Sequence, residues 1–174
     1  MKNIFKVAAS AFVLTAFTAA NSFGQATASA SASATIITPI SISKTTDMNF
    51  GNIAVTSALG TVTLPSTGTR THTGGVTLPT TQGTVSQAAF TVSGEPLYTY
   101  VVTLPSAPVV LANGGASMNA TAFTSSLAAT ASVGTLSAGG SQSITVGATL
   151  TVAGNQATGL YTTATPFDVT VNYN

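Results

Sequence analysis

The sequence predicts an all-β fold, a sandwich or barrel of short strands. Three observations predict it. Thr is the most frequent residue and Val, Ala and Ser are abundant, whereas Glu, Lys, Gln and Arg, which populate exposed helix faces, are scarce; β-branched side chains suit a pleated surface better than a helix. Gly and Pro recur at strand-length intervals, the spacing of an all-β domain. Several segments alternate apolar and polar residues with period two, which places one set on one side of an extended strand.

Met1–Lys6 carries two lysines, Val7–Ala20 is apolar apart from Ser10, Thr15 and Thr18, and small residues follow. That order is expected of a secretory signal peptide. The apolar run falls short of the roughly 18 residues a spanning helix needs, and Ser, Thr, Gly and Pro interrupt every later run, so no transmembrane segment is expected after cleavage. Ser22 and Gly24 place cleavage at Gly24–Gln25, with Ala20 and Ala26 as other fitting sites. Residues 1–24 are thus read as leader and 25–174 as one domain, with 25–36 open to being an N-terminal extension or donor strand. The remaining 150 residues suffice to bury about two thirds of the unfolded surface without disulfides.

The first expected strand runs from Ala26 to Ile42. Ala28, Ala30, Ala32, Ala34 and Ile36 share one face, Ile40 and Ile42 continue it, and Pro39 marks an edge, a bend or a split. Expected strands follow at Met48–Val55, Thr61–Leu64, Val76–Leu78, Val85–Val92, Leu97–Leu104, Val109–Leu111 and Met118–Phe123. Ser93-Gly94-Glu95-Pro96 and Asn113-Gly114-Gly115 are turn signals. Leu127–Ser137 reads as either a helical turn or a strand. Ser141–Val152 sets Ile144, Val146, Ala148, Leu150 and Val152 on one face, with Gly147 suggesting a bulge. Leu160–Thr163 is short, and Phe167–Tyr173 alternates Phe167, Val169, Val171 and Tyr173.

Charge excludes several function classes. Beyond the leader remain Lys44 and Arg70 against Asp47, Glu95 and Asp168, a net charge of −1, so nucleic acid, which is held by clustered cations, is not an expected partner. There is no Cys, hence no disulfide, thiolate nucleophile or Cys-based metal site. The single His72, within Thr69–Gly75, reads as a solvated loop residue, and no Gly-x-Ser-x-Gly elbow accompanies it. The three carboxylates read as solvated turn and strand residues, and no Asp-rich loop suits calcium. Neither a catalytic residue, a metal nor a cofactor is expected.

The two ends carry the strongest functional signal. Ala28, Ala30, Ala32, Ala34 and Ile36 at one end, and Phe167, Val169, Val171 and Tyr173 at the other, are expected strand-pairing residues. An alternating strand left unpaired is a template for another chain, and backbone bonds then supply affinity while alternate side chains fill pockets.

Ala34–Lys44, Asp47–Val55 with its Asn-Phe-Gly-Asn-Ile element, Gly60–Leu64, Phe90–Pro96, Val146–Leu150 and Val169–Tyr173 resemble a family of exported Gram-negative proteins that carries only a label of unknown function. The resemblance covers most of the chain beyond the leader. It implies a secreted, immunoglobulin-like antiparallel β-sandwich and transfers no catalytic residue. In plan the chain is more distantly similar to fimbrial subunits of the chaperone–usher route. There an alternating N-terminal extension completes a neighbour's sandwich, and a C-terminal strand with a penultimate aromatic is held by the chaperone; Ala26–Ile36 and Tyr173 correspond. Unlike those subunits, this chain has no Cys pair, and its extension is mostly Ala.

The expected function is that of a non-enzymatic, exported structural or surface protein, located in the periplasm, at the cell surface or outside the cell. It would self-associate, or be held by a periplasmic chaperone, through edge-strand pairing. A monomeric binding or adhesion module, with glycans as one ligand class, is the alternative; it calls for aromatic platforms, whereas the chain has no Trp and Tyr98 and Tyr100 read as core or strand-face residues. A small outer-membrane barrel is a lesser alternative.

Overall fold

The structure is a computed structural model that describes residues 24–127 and 132–174. The expected leader therefore lies outside the described residues except for Gly24. The chain divides into two units, Met1–Thr35 and Ile36–Asn174. In the first, residues 24–35 are exposed and belong to no strand.

The second unit is all-β and antiparallel, with no helix among the described residues. Eleven strands form it: β1 (Ser41–Thr46), β2 (Ala54–Leu64), β3 (Thr71–Thr77), β4 (Ala88–Ser93), β5 (Thr99–Thr103), β6 (Val109–Asn113), β7 (Ala116–Ser125), β8 (Val133–Thr135), β9 (Ser141–Val152), β10 (Thr162–Thr163) and β11 (Thr170–Tyr173). Eight lie in one sheet, ordered β1-β4-β9-β7-β6-β10, with β2 bonded to β9 and β3 to β2. The other three form a small sheet ordered β11-β5-β8. Among the described residues both sheets are open, so each ends in strands with one unpartnered edge.

The spine is β9. Its alternation turns Ile144, Val146, Ala148, Leu150 and Val152 inward, and all five are buried. Burial of each large aliphatic chain contributes about 1.5–3 kcal/mol. Along one edge, β9 pairs first with β4 (Ser141–Val146) and then with β2 (Ala148–Val152). Gly147 stands at the change of partner. A Cβ there would run into the Leu64 carbonyl oxygen and the Ser66 nitrogen, so the position admits only hydrogen. The expected irregularity near Gly147 lies on the opposite strand: β7 shifts register between Thr121 and Thr124 as it passes Gly147.

Two clusters of buried side chains make the core. One joins Phe90, Val92, Ile144 and Val146 of the large sheet to Tyr100, Val102, Leu136 and Val171 on the small-sheet side, so the two sheets pack face to face as a sandwich. The other gathers Phe50, Val62, Leu64, Val76, Ala120, Leu150 and Val152. Met48 and Phe123 touch both clusters and make the core continuous.

Several elements differ from the sequence reading. Ala26–Pro39 does not join β1, which begins at Ser41. Alanine faces bury about one methyl group each, too little to offset the cost of ordering extended chain. Met48–Ile53 is a pinned turn rather than a strand, held by one bridge between Asn49 and Ser86. β3 begins at Thr71, so His72 is an exposed strand residue paired with Val62, not a loop residue. The ambiguous Leu127–Ser137 contains β8, with residues 128–131 outside the described set. The Asn113-Gly114-Gly115 turn is the β6–β7 hairpin: Asn113 pairs with Ala116, and Gly114 takes φ 58°.

Candidate functional site

β11 lies at the margin of the small sheet, bonded to β5 alone: Thr170 pairs with Thr103, Val171 with Val102, Asn172 with Val101 and Tyr173 with Tyr100. The Asn174 N–H donates to the Thr99 carbonyl at 3.3 Å. Antiparallel pairs alternate between bonded and non-bonded, so Asn172 and Thr170 bond inward, while the backbone groups of Val171 and Tyr173 face the free edge. Their side chains turn to the core: Val171 is buried and Tyr173 half-buried. Phe167 and Val169 precede the ladder but pack against the same cluster, with the Phe167 ring 5.1 Å from that of Phe123. Among the sequence-selected residues, the structure thus brings together Phe167, Val169, Val171 and Tyr173. Ala28, Ala30, Ala32, Ala34 and Ile36 join no strand, and Ile36 is 98% exposed.

β1 flanks the same core cluster from the large sheet through Ile40 and Ile42. It too has a free edge, but Pro39 precedes it, Lys44 sits within it and its register shifts before Thr46. Proline, lysine and bulges are the usual devices that keep an edge from pairing. β11 contains none of them.

Three groups close a ring beside the end of β11. The Thr38 N–H donates to Glu95 Oε2 at 2.8 Å. The Glu95 N–H donates to the Tyr173 hydroxyl oxygen at 2.6 Å, and that hydroxyl donates to the Thr38 carbonyl at 2.8 Å. Gly94 makes the approach possible, since a Cβ there would collide with the Tyr173 hydroxyl. The bond from Thr38 holds the Glu95 carboxyl below the usual carboxylate range. The ring fixes the root of the N-terminal segment to the β11 terminus. Next to it, Leu97 adopts φ 65° and is 68% exposed, and Tyr98, 43% exposed, meets the Tyr173 ring edge-on at 5.6 Å. Sequence reasoning selected Tyr173 as a strand residue and missed its hydroxyl's role; its partner Glu95 sat in plain view in the turn signal.

Arg70 was also missed. It is only 8% exposed. Its Nη1 donates to the Phe50 carbonyl and, at 3.0 Å, to the Asn52 carbonyl. It thereby pins the Asn-Phe-Gly-Asn-Ile turn, which Asn49 Oδ1 tightens by accepting the Gly51 N–H at 2.8 Å. Burial pushes the guanidinium pKa down. The available signal was rarity: Arg70 is the sole arginine in the sequence.

The remaining ionisable groups are scattered. Asp47 pairs with Lys44 at 2.6 Å on the surface, and Asp168 and His72 are exposed. Among the described residues no three of His, Cys, Asp and Glu gather where a metal ion would need them, and no helix is long and apolar enough to cross a membrane.

The family described as "Domain of unknown function (DUF4402)" matches residues 40–173. Comparison with curated proteins and with solved structures gives no match.

Proposed function

Because the chain belongs to this DUF4402 family, whose description names no activity, we propose a function from the geometry itself: an exported, non-enzymatic structural protein of the periplasm or cell surface that assembles by edge-strand pairing. In this reading the free edge of β11 accepts residues Ala26–Ile36 of a second copy. A periplasmic chaperone would occupy the same edge before assembly. The observation that carries the reading is the pairing of opposites in one chain. An uncharged edge carries no proline, lysine or bulge, and an alternating segment makes no ladder of its own.

Magnitudes set the strength. Each added backbone hydrogen bond contributes about 0.5–1.5 kcal/mol net, and ordering the donor costs about 1–2 kcal/mol per residue. Alanines add little to the balance, so Ile36 is the one bulky anchor. Assembly is therefore concentration-dependent. Size-exclusion chromatography with light scattering, with and without residues 25–34, tests it. Oligomers that grow with concentration and vanish in the deletion support the proposal; an intact chain that stays monomeric at every concentration sinks it. An N-terminal residue near Gln25 in the exported product, read by mass spectrometry, checks the leader.

A monomeric binding module is the second reading, favoured by the exposed Leu97 and Tyr98 at the tip. A glycan array probed with wild type and with Tyr98→Ala tests it; no binding by the wild type removes it.

A further inference from the structure

Four neighbouring strands carry the same short pattern. β3 holds Thr71-His72-Thr73, β2 Thr61-Val62-Thr63, β9 Thr149-Leu150-Thr151 and β7 Asn119-Ala120-Thr121. The ladders set these segments side by side in register. Thr73 pairs with Thr61, Thr61 with Thr151 and Thr151 with Asn119, which makes one row across the sheet. Thr71, Thr63, Thr149 and Thr121 make a second row in the same way. The middle residues Val62, Leu150 and Ala120 are buried in the core, so the period of two puts both rows on the outward face of the large sheet. Thr71, Thr73 and Asn119 are exposed, and the other five side chains are half-buried among their neighbours. Next along β9, Gly147 lies under the Pro65–Ser66 backbone, which closes the array on that side.

The side chains of the array are held in place. Threonine is stiff at χ1, and the hydroxyls brace one another: the Thr61 and Thr73 oxygens lie 2.7 Å apart and those of Thr63 and Thr149 3.2 Å apart. The Thr121 hydroxyl donates to the Thr149 carbonyl at 3.5 Å. A hydroxyl has one donor and two acceptor sites, so these lateral bonds leave capacity for water. Charge narrows the occupant. Neither row has an ionisable group, β2, β7 and β9 have none at all, and His72 pairs with Val62 and so turns to the opposite face. Such a face complements neither a polyanion nor an anionic membrane, and the rows hold no aromatic ring on which a sugar could stack. It complements a neutral lattice of hydrogen-bonding oxygens. The repeat selects which one: neighbouring strands lie about 4.8 Å apart, and two residues along a strand span about 6.8 Å. Oxygen atoms on a prism face of ice repeat at nearly these two distances.

We propose that these two rows form an ice-binding face, on which the grid of hydroxyls and methyls orders water as the crystal surface does. The matched patch measures about 14 Å across the strands and about 7 Å along them. Sheets twist by about 20–25° per strand, which confines close register with a flat crystal to adjacent strands. The expected effect is therefore adsorption that slows recrystallisation, and not a deep depression of the freezing point. The face lies on the large sheet, away from the β11 edge, and acts whether or not the chain assembles.

Two measurements on the wild-type protein test this without substitution: its uptake into slowly grown polycrystalline ice, against an unrelated protein of similar size, and the growth of ice grains during annealing. The expected result is enrichment in the ice fraction and smaller grains. Thr151→Tyr sets a bulky ring in the middle of the first row, and tyrosine suits a strand. It is expected to require at least tenfold more protein for the same inhibition. Thr73→Lys changes an exposed position of β3, where the fold has little at stake, and is expected to act in the same direction by placing a charge in the grid. Thr99→Tyr makes the same change as the first variant at an exposed position of the small sheet and is expected to match the wild type. Melting temperatures confirm that each variant is folded. A wild-type chain excluded from ice like the control protein overturns the proposal, as do Thr151→Tyr and Thr73→Lys variants that both keep full activity. Retention on crystalline cellulose or chitin together with exclusion from ice also overturns it, in favour of a neutral glycan.

Discussion

Replacing Tyr173 with Phe removes one oxygen atom and opens the ring that joins the N-terminal root, the Gly94–Pro96 turn and β11. The aromatic body stays, and with it the edge-on contact to Tyr98 at 5.6 Å. Two hydrogen bonds are lost: one from the Glu95 N–H at 2.6 Å and one to the Thr38 carbonyl at 2.8 Å. Each contributes about 0.5–1.5 kcal/mol net, and water can reach the exposed side of Thr38, so the expected loss is about 1–2 kcal/mol. For a domain of this size that lowers the melting temperature by about 2–8 °C. Thermal unfolding followed by circular dichroism reads it. A cycle with Glu95→Ala adds a sharper reading. If the three groups act as a ring, the two substitutions are non-additive, and the double variant melts above the temperature that the single losses sum to. A Phe variant that melts with the wild type, or strict additivity, refutes the ring. Assembly is not expected to change, since the free edge of β11 is backbone.

Glu95 makes stability depend on pH. Its folded pKa is depressed by the bond from Thr38. Its contribution is therefore present above the unfolded value of about 4.3 and is lost as pH falls through the lower folded value. Melting curves from about pH 6 down to about 3 should show a decline that Glu95→Gln flattens; parallel profiles contradict the assignment. Gly147→Ala forces a methyl group against the Leu64–Ser66 backbone and is expected to cost at least about 2 kcal/mol, measured by urea unfolding. Gly115→Ala, which meets nothing within 4 Å, is the control and is expected to be neutral or to stabilise by up to about 1 kcal/mol. Ile36→Asp is expected to shift the midpoint of self-association at least tenfold upward while leaving the melting temperature of the dilute monomer unchanged; an unchanged midpoint argues against Ile36 as the anchor.

What could be read from the sequence was decided by side-chain volume. β9 was legible residue by residue because five inward aliphatic positions alternate without interruption, and the structure buries all five. The β6–β7 hairpin was legible from two glycines. Ala26–Ile42 has an equally regular pattern, yet only its last residues pack, because periodicity states which way a residue would face and not how much it gains by facing there. The Met48–Ile53 turn was misread as a strand for the opposite reason. Phe50 and Ile53 are bulky and core-seeking, but Gly51 at φ 71° and the Arg70 donor bend the chain before a ladder can form. Long-range polar ties such as Thr38–Glu95–Tyr173 leave no periodic trace at all.

The distribution of charge explains why the two free edges near the first core cluster need not behave alike. A chain with two cations and three carboxylates beyond residue 24 can guard few edges electrostatically, and repulsion between copies of that part is weak. Lys44 is spent on β1, next to a register shift and close after Pro39. Asp168, the nearest charge to β11 in sequence, lies outside the ladder and is exposed. Moving the guard tests whether this asymmetry matters. Asn172→Lys places a lysine on an exposed position of β11, where it leaves the core side chains Val171 and Tyr173 in place. If β11 is the accepting edge, this substitution suppresses self-association while thermal unfolding of the monomer is unchanged within about 0.5 kcal/mol, the usual range for surface substitutions. Lys44→Thr, which strips the guard from β1, is expected to leave a second, slower mode of association. Equal association by wild type and Asn172→Lys would mean that β11 is not where copies meet.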